Sequence, residues 1–136
     1  MSDNFKRFVR YVLPAIFYMA VIFTISSIPR LSPPSLGVEW DDKIYHFIEY
    51  AGFFFLLYRA LKYWGWAKRT GRKILLAIFL GSAIGAIDEL YQASVPTRVP
   101  DVSDWIADST GVVLACLIFL LVQLIVKRRS LRLQQK

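Results

Sequence analysis

The sequence has a single cysteine, Cys116, and a single histidine, His46. One cysteine excludes an internal disulfide and every CxxC redox or zinc motif. Cys116 sits within an apolar run, where it reads as a small packing residue. There is no HExxH, no Gly-rich phosphate loop and no cysteine in a nucleophile setting, so the common metalloprotease, nucleotide-binding and thiol-enzyme signatures are missing. Charge is scarce too: 20% of residues are charged and 56% hydrophobic, against about 25% and 45–50% in soluble domains. Tyr11 to Pro29 and Ser109 to Val126 contain no charge at all. A soluble bundle needs a polar face on every helix, and these blocks offer none. No low-complexity segment and no long linker divides the chain, so residues 1–136 read as one domain. The first apolar run exceeds the length of a signal core and no A-x-A site follows it, so it is expected to remain as a membrane anchor.

The remaining sequence falls into four apolar segments, each able to cross a hydrocarbon core of about 30 Å. They predict helices over approximately 9–29, 42–63, 73–95 and 102–127, joined by the Pro-rich connectors "LSPPSLGVEW" (31–40) and "VPTRVPD" (95–101) and the basic "WGWAKRTGRK" (64–73). The expected fold is an all-α, four-helix transmembrane bundle. The net charge of +7 is divided along the chain. Lys6, Arg7 and Arg10, the basic residues from Arg59 to Lys73, and the tail from Lys127 to Lys136 all fall on one side, leaving only Arg30, Lys43 and Arg98 on the other. Of the acids, only Asp3 lies on the basic side. By the positive-inside rule this predicts a multi-pass protein with both termini in the cytoplasm. A basic excess divided in this way implies topology and contact with anionic lipid rather than nucleic acid.

The polar residues inside the segments are not scattered. At 100° per residue, Asp42, His46 and Glu49 share an arc of about 60° on the second helix. Gly81, Gly85, Asp88 and Gln92 share another on the third, with Glu89 beside it. Asp104, Asp108, Gly111 and Ala115 share a face of the fourth. "GSAIG" (81–85) is a small-xxx-small surface that lets two membrane helices approach closely. Asp42, Asp101 and Asp104 also suit helix N-caps, Asp88 and Glu89 suit a wetted helix end, and a lone histidine is commonly a hydrogen-bonded structural residue. Glu49, Gln92 and Asp108 lie deeper on the same arcs, and turning them to lipid would cost at least ~2.5 kcal/mol per charge at mid-bilayer. The three stripes are therefore expected to face one another. A short internal similarity adds to this. "SIPR" (27–30) and "SVPTR" (94–98) end helices, while "DKIYH" (42–46) and "DWIAD" (104–108) open them, suggesting two repeated hairpins that place Asp42 and His46 opposite Asp104 and Asp108 across one central site.

"DKIYHFIEY" (42–50), "DELYQASVPTR" (88–98) and "DWIADSTG" (104–111), with "SSIP" (26–29), resemble the VanZ-like family of small bacterial membrane proteins. The resemblance spans nearly the whole chain and marks Asp42, Lys43, His46, Glu89, Gln92, Arg98, Asp104, Asp108 and Gly111. Asp108 stands where many relatives have asparagine. The family is named for an accessory protein of glycopeptide (teicoplanin) resistance, which implies the bacterial cytoplasmic membrane and an envelope role, without a reaction. The candidate site therefore comprises Asp42, Lys43, His46, Glu49, Glu89, Gln92, Arg98, Asp104 and Asp108. Rigid prolines around Arg98 lead to the expectation that it pairs bidentately with Glu89 or Asp104. One reading is a protein that binds or shields an envelope lipid or glycopeptide-related ligand. The alternative is a membrane enzyme acting on a lipid-linked envelope precursor, with a divalent metal on His46, Glu89 and Asp104. A proton-coupled transporter would need polar residues in both halves, or oligomers that form a pathway.

Overall fold

A computed structural model describes residues 2–29, 34–64 and 69–135; Arg30, Lys68 and Lys136, and parts of the 31–40 and 64–73 connectors, lie outside them. Every regular element is a helix: α1 (Asp3–Tyr11), α2 (Leu13–Ser26), α3 (Asp41–Trp64), α4 (Thr70–Gln92) and α5 (Val102–Gln134). α1 and α2 continue one another across Val12, so the chain forms four rods, the all-α bundle that its apolar runs predict. The first rod begins earlier than the apolar run, because Ser2 caps it by accepting the Phe5 N–H. Its interruption has a specific cause. Pro14 carries no N–H, so the carbonyl of Arg10, four residues back, loses its helical partner. The Arg59 guanidinium on α3 donates to that carbonyl at 2.9 Å. Tyr11 stacks on Tyr63 at the same level, with Arg10 and Arg59 5.4 and 5.1 Å from the Tyr11 ring centre.

α3 lies at the centre, and its first turn is closed by Asp41, which accepts the Ser35 hydroxyl and the N–H groups of Leu36 and Val38. Tyr50, Phe53 and Phe54 of α3 are fully buried with Ile22, Ala77 and Val112 around them. α3 and α5 run parallel: His46 meets Asp108 and, further along, Tyr58 meets Phe119. α4 runs antiparallel to α5, with Gly85 against Asp108 and Gly81 against Val112. The packing depends on those small residues. A Cβ at Gly81 would stand 2.9 Å from a Val112 methyl, and one at Gly111 would strike the backbone carbonyl of Phe47.

Asp3–Ser26, Thr70–Gln92 and Val102–Gln134 are long and apolar enough to cross a membrane. α3 matches them in length but carries charge near both ends. α5 continues past residue 127 because its Lys127 to Gln134 stretch consists mostly of good helix formers with no glycine or proline to stop it. Leu117, Ile118, Leu121, Val122 and Ile125 on α5 are exposed, as expected of a surface solvated by lipid. The rods place α1, the end of α3 and the start of α4 at one end, which is basic. The ends of α2 and α4 and the starts of α3 and α5 meet at the other, which is acidic.

Candidate functional site

Buried polar and charged residues among those described are Ser26, Asp88, Glu89, Gln92, Asp104 and Asp108, all at the acidic end. The α3–α5 seam holds the first group. Lys43 reaches from α3 to three carboxylates, Asp42 at 3.2 Å, Asp101 at 3.1 Å and Asp104 at 3.0 Å. One turn deeper, His46 Nδ1 lies 3.0 Å from Asp108 Oδ1, and its Nε2 lies 4.0 Å from Asp104 Oδ2. An ionised carboxylate only accepts hydrogen bonds, so with Asp108 charged the Nδ1 proton points at it. Asp108 is 0% exposed, and it fits because its neighbour on α4 is Gly85, whose added Cβ would stand 2.8 Å from Asp108 Oδ2. The residues matched by the internal similarity, His46 with Asp108, thus touch directly across a parallel seam rather than facing each other across an open site.

The second group joins α2 to α4. Ser26 donates to Asp88 Oδ2 at 2.7 Å, and Gln92 donates to the same oxygen at 3.3 Å. Next to it, Glu89 Oε2 accepts the backbone N–H of Asp101 at 2.9 Å, which ties α4 to the start of α5. Asp101 itself is the α5 N-cap, accepting the Ser103 N–H at 2.8 Å. Bonds to Ser103, followed by the Lys43 ammonium, hold the Asp101 carboxyl down at about 2.

Of the nine candidates, Lys43, His46, Glu89, Asp104 and Asp108 converge at the α3–α4–α5 junction, and Gln92 lies in the adjoining knot. Asp42, Glu49 and Arg98 line a pocket of about 90 Å³ with Ser26, Tyr45, His46 and Gln92. Arg98 departs from the expected pairing. Its guanidinium donates to the Ile25 carbonyl at 3.4 Å, in the last turn of α2. Carbonyls at a helix end lack intrahelical partners and draw such donors. The candidate metal set also changes: donor atoms of His46, Glu89 and Asp108 lie within 4.8 Å of one another, and Asp104, which meets Lys43, is not in that group. Four residues join the site beyond the candidates. Asp88 lies on the recognised arc of the third helix, and Tyr50 follows His46 by one helical turn. Ser26 ends the first helix, and Asp101 caps the last. Tyr50 Oη, Asp88 Oδ1, Glu89 Oε1, Arg98 Nε and Asp108 Oδ2 are buried without a hydrogen-bond partner.

The family model described as VanZ/LLP1 matches residues 7–125, a stretch that includes every residue of the site. No curated protein and no solved structure matches the chain.

Proposed function

Since the chain belongs to the VanZ/LLP1 family of membrane proteins, we propose that it acts in the bacterial cytoplasmic membrane, with its acidic end outward and both termini in the cytoplasm. There it binds the polar group of an envelope lipid or glycopeptide-related ligand, holding or shielding it. The observation carrying this reading is the 90 Å³ pocket at which Ser26, His46, Glu49, Gln92 and Arg98 meet. A volume of that size holds about three waters at roughly 30 Å³ each. It therefore admits one small polar group, while the rest of the ligand stays in the bilayer or above it. Three rods and the connector between α4 and α5 contribute to the walls, so the groups are fixed before binding. The basic residues at the opposite end support the orientation.

Two experiments test it. Reporter fusions after Asp3 and after Gln135 should read cytoplasm and a fusion at residues 36–38 should read outside; the reverse pattern sinks the orientation. The protein purified in mild detergent should retain a lipid class enriched over the bulk membrane extract, and Gln92→Ala should lose it. A retained profile identical to the bulk membrane would remove the binding reading.

A second reading, an enzyme acting on a lipid-linked envelope precursor, is favoured by the His46–Asp108 contact of 3.0 Å. A buried carboxylate that fixes one imidazole nitrogen leaves the other as an oriented general base. Turnover of an extracted lipid-linked precursor by wild type, absent in His46→Gln, would select it over simple binding.

A further inference from the structure

The binding reading leaves a difficulty of charge. The pocket walls carry Asp42 and Glu49, and Asp88, Glu89, Asp104 and Asp108 lie behind them. Lys43 is engaged by Asp42, Asp101 and Asp104. That leaves the His46 imidazole and, on the pocket wall, the Arg98 guanidinium for Glu49, Glu89, Asp108 and Asp88. An anionic head group is repelled by a site with this excess of carboxylates.

Two independent observations point to what completes it. Donor atoms of His46, Glu89 and Asp108 lie within 4.8 Å of one another, brought together from α3, α4 and α5. Separately, Glu89 Oε1 and Asp108 Oδ2 have no hydrogen-bond partner, although Glu89 is 7% and Asp108 0% exposed. Buried carboxylate oxygens are normally satisfied by donors or by a cation.

We propose that His46, Glu89 and Asp108 hold one divalent transition-metal cation, whose remaining coordination positions take an anionic oxygen of the head group bound in the pocket. One imidazole and two carboxylates form a nitrogen–oxygen set suited to Mn²⁺, Fe²⁺ or Zn²⁺. Ca²⁺ and Mg²⁺, which prefer oxygen alone, fit it less well. Bond lengths of about 2.0–2.2 Å require the donors to close in by roughly 1 Å from their present spacing. Rotation of His46 and of the Glu89 side chain, whose Oε1 is unpartnered, supplies that movement toward Asp108, which is held against Gly85. Three protein ligands leave an open position, the arrangement of sites that bind an exogenous group. His46 belongs both to this trio and to the pocket wall. The cation therefore lies where a head group entering past Arg98 would meet it, and its two charges offset those of Glu89 and Asp108. The second half of the proposal rests on the pocket as a ligand site; the metal half does not.

The test uses the full chain in detergent micelles, stripped with EDTA and titrated with Mn²⁺, with free ion read from its electron paramagnetic resonance signal. The expected result is one tight site per chain, displaced by Zn²⁺, with pulsed spectra showing hyperfine coupling to one imidazole nitrogen. His46→Gln should remove the coupling, and Glu89→Gln should weaken binding by at least ~10-fold. Asp3→Asn, at the opposite end, should bind as wild type does. Labelling of buried Cys116 reports whether each variant is folded. If a variant is not, the wild-type nitrogen coupling decides alone: its presence supports the site and its absence overturns it. Absence of tight Mn²⁺ or Zn²⁺ uptake by wild type, or equal uptake by folded His46→Gln and Glu89→Gln, also overturns it. Metal uptake without lipid enrichment would retain the site and reject the ligand reading; lipid enrichment without metal uptake would do the opposite.

Discussion

The acidic end of the bundle buries its charges, with Asp88, Glu89, Asp104 and Asp108 no more than 8% exposed, whereas the basic end keeps Lys6, Arg7, Arg10 and Arg59 at the surface. At the basic end charge stays exposed, where it has solvent or lipid head groups to face. A bond it makes into the fold, from Arg59 to the Arg10 carbonyl, repairs a local gap. At the acidic end charge is part of the packing: Asp108 occupies the space left by a glycine, Lys43 joins three carboxylates, and Glu89 ties two helices. Exposed charge can be changed without repacking the interior. Buried charge that survives in a membrane bundle points to a task.

Substitutions can break this comparison, beginning with the largest effect. Asp108→Ala leaves His46 facing an unfilled buried space and should lower stability by about 3–5 kcal/mol, the range for removing one partner of a buried pair. Asp108→Asn keeps the shape and a hydrogen-bonding group, and should cost about 1 kcal/mol. Because Cys116 is the only cysteine and is buried, its thermal exposure to a thiol-reactive dye measures both. A wild-type melting curve for Asp108→Ala would erase the distinction between the two ends. Gly111→Ala comes next. Its methyl meets the Phe47 backbone, which cannot rotate away, so overpacking of about 1–3 kcal/mol is expected. The same assay reads it, and a neutral result would mean that the α3–α5 seam is looser than described.

The basic end should respond less. Arg59→Ala removes the donor to the Arg10 carbonyl and should cost about 1 kcal/mol. In a Pro14→Ala background the helix regains its own N–H, and Arg59→Ala should then be close to neutral. An equal cost in both backgrounds would show that Arg59 acts through Tyr11 rather than through the carbonyl. The smallest effect is the pH response of the α5 cap. The Asp101 carboxyl is held at about 2 against an ordinary 3.8. Its contribution to stability is therefore complete above about pH 4 and declines as the pH falls toward 2. Asp101→Asn retains a capping oxygen and should flatten that part of the curve. Superimposable acid profiles for the two proteins would remove the cap from the account.

The first and last rods were legible because charge-free runs of membrane length leave few alternatives, the middle two from apolar stretches set between Pro-rich and basic connectors. The convergence of the polar stripes followed from helical spacing. What sequence spacing does not contain is competition between partners. Lys43 and Arg98 both look free to choose among nearby acids. Their actual partners depend on where the fold brings each side chain: Lys43 falls among three carboxylates, while Arg98 meets the Ile25 carbonyl at the end of α2. The Pro14 break was hidden for a related reason: a proline early in an apolar run reads as a helix start, and its repair comes from Arg59 on another helix. Tyr50 stayed hidden because an aromatic residue at helical spacing reads as core, and only the carboxylates packed around it give its hydroxyl significance.

The length of α5 has a consequence for the bilayer itself. Its uncharged stretch, Ser109–Val126, measures roughly 27 Å at 1.5 Å per residue, close to the ~30 Å of an average hydrocarbon core. Lys127 marks one end of that ruler and Asp108 the other, so anchoring of the basic tail at one head-group layer fixes the depth of the carboxylate beneath the other. In a thin bilayer of short acyl chains, Asp108 and the groups around it would stand among hydrated head groups. In a thick one they would sink below the interface, and every ion or head group that reaches them would first have to shed more water. Membrane thickness thus becomes a variable that would tune the affinity of the proposed site without altering a single residue of it.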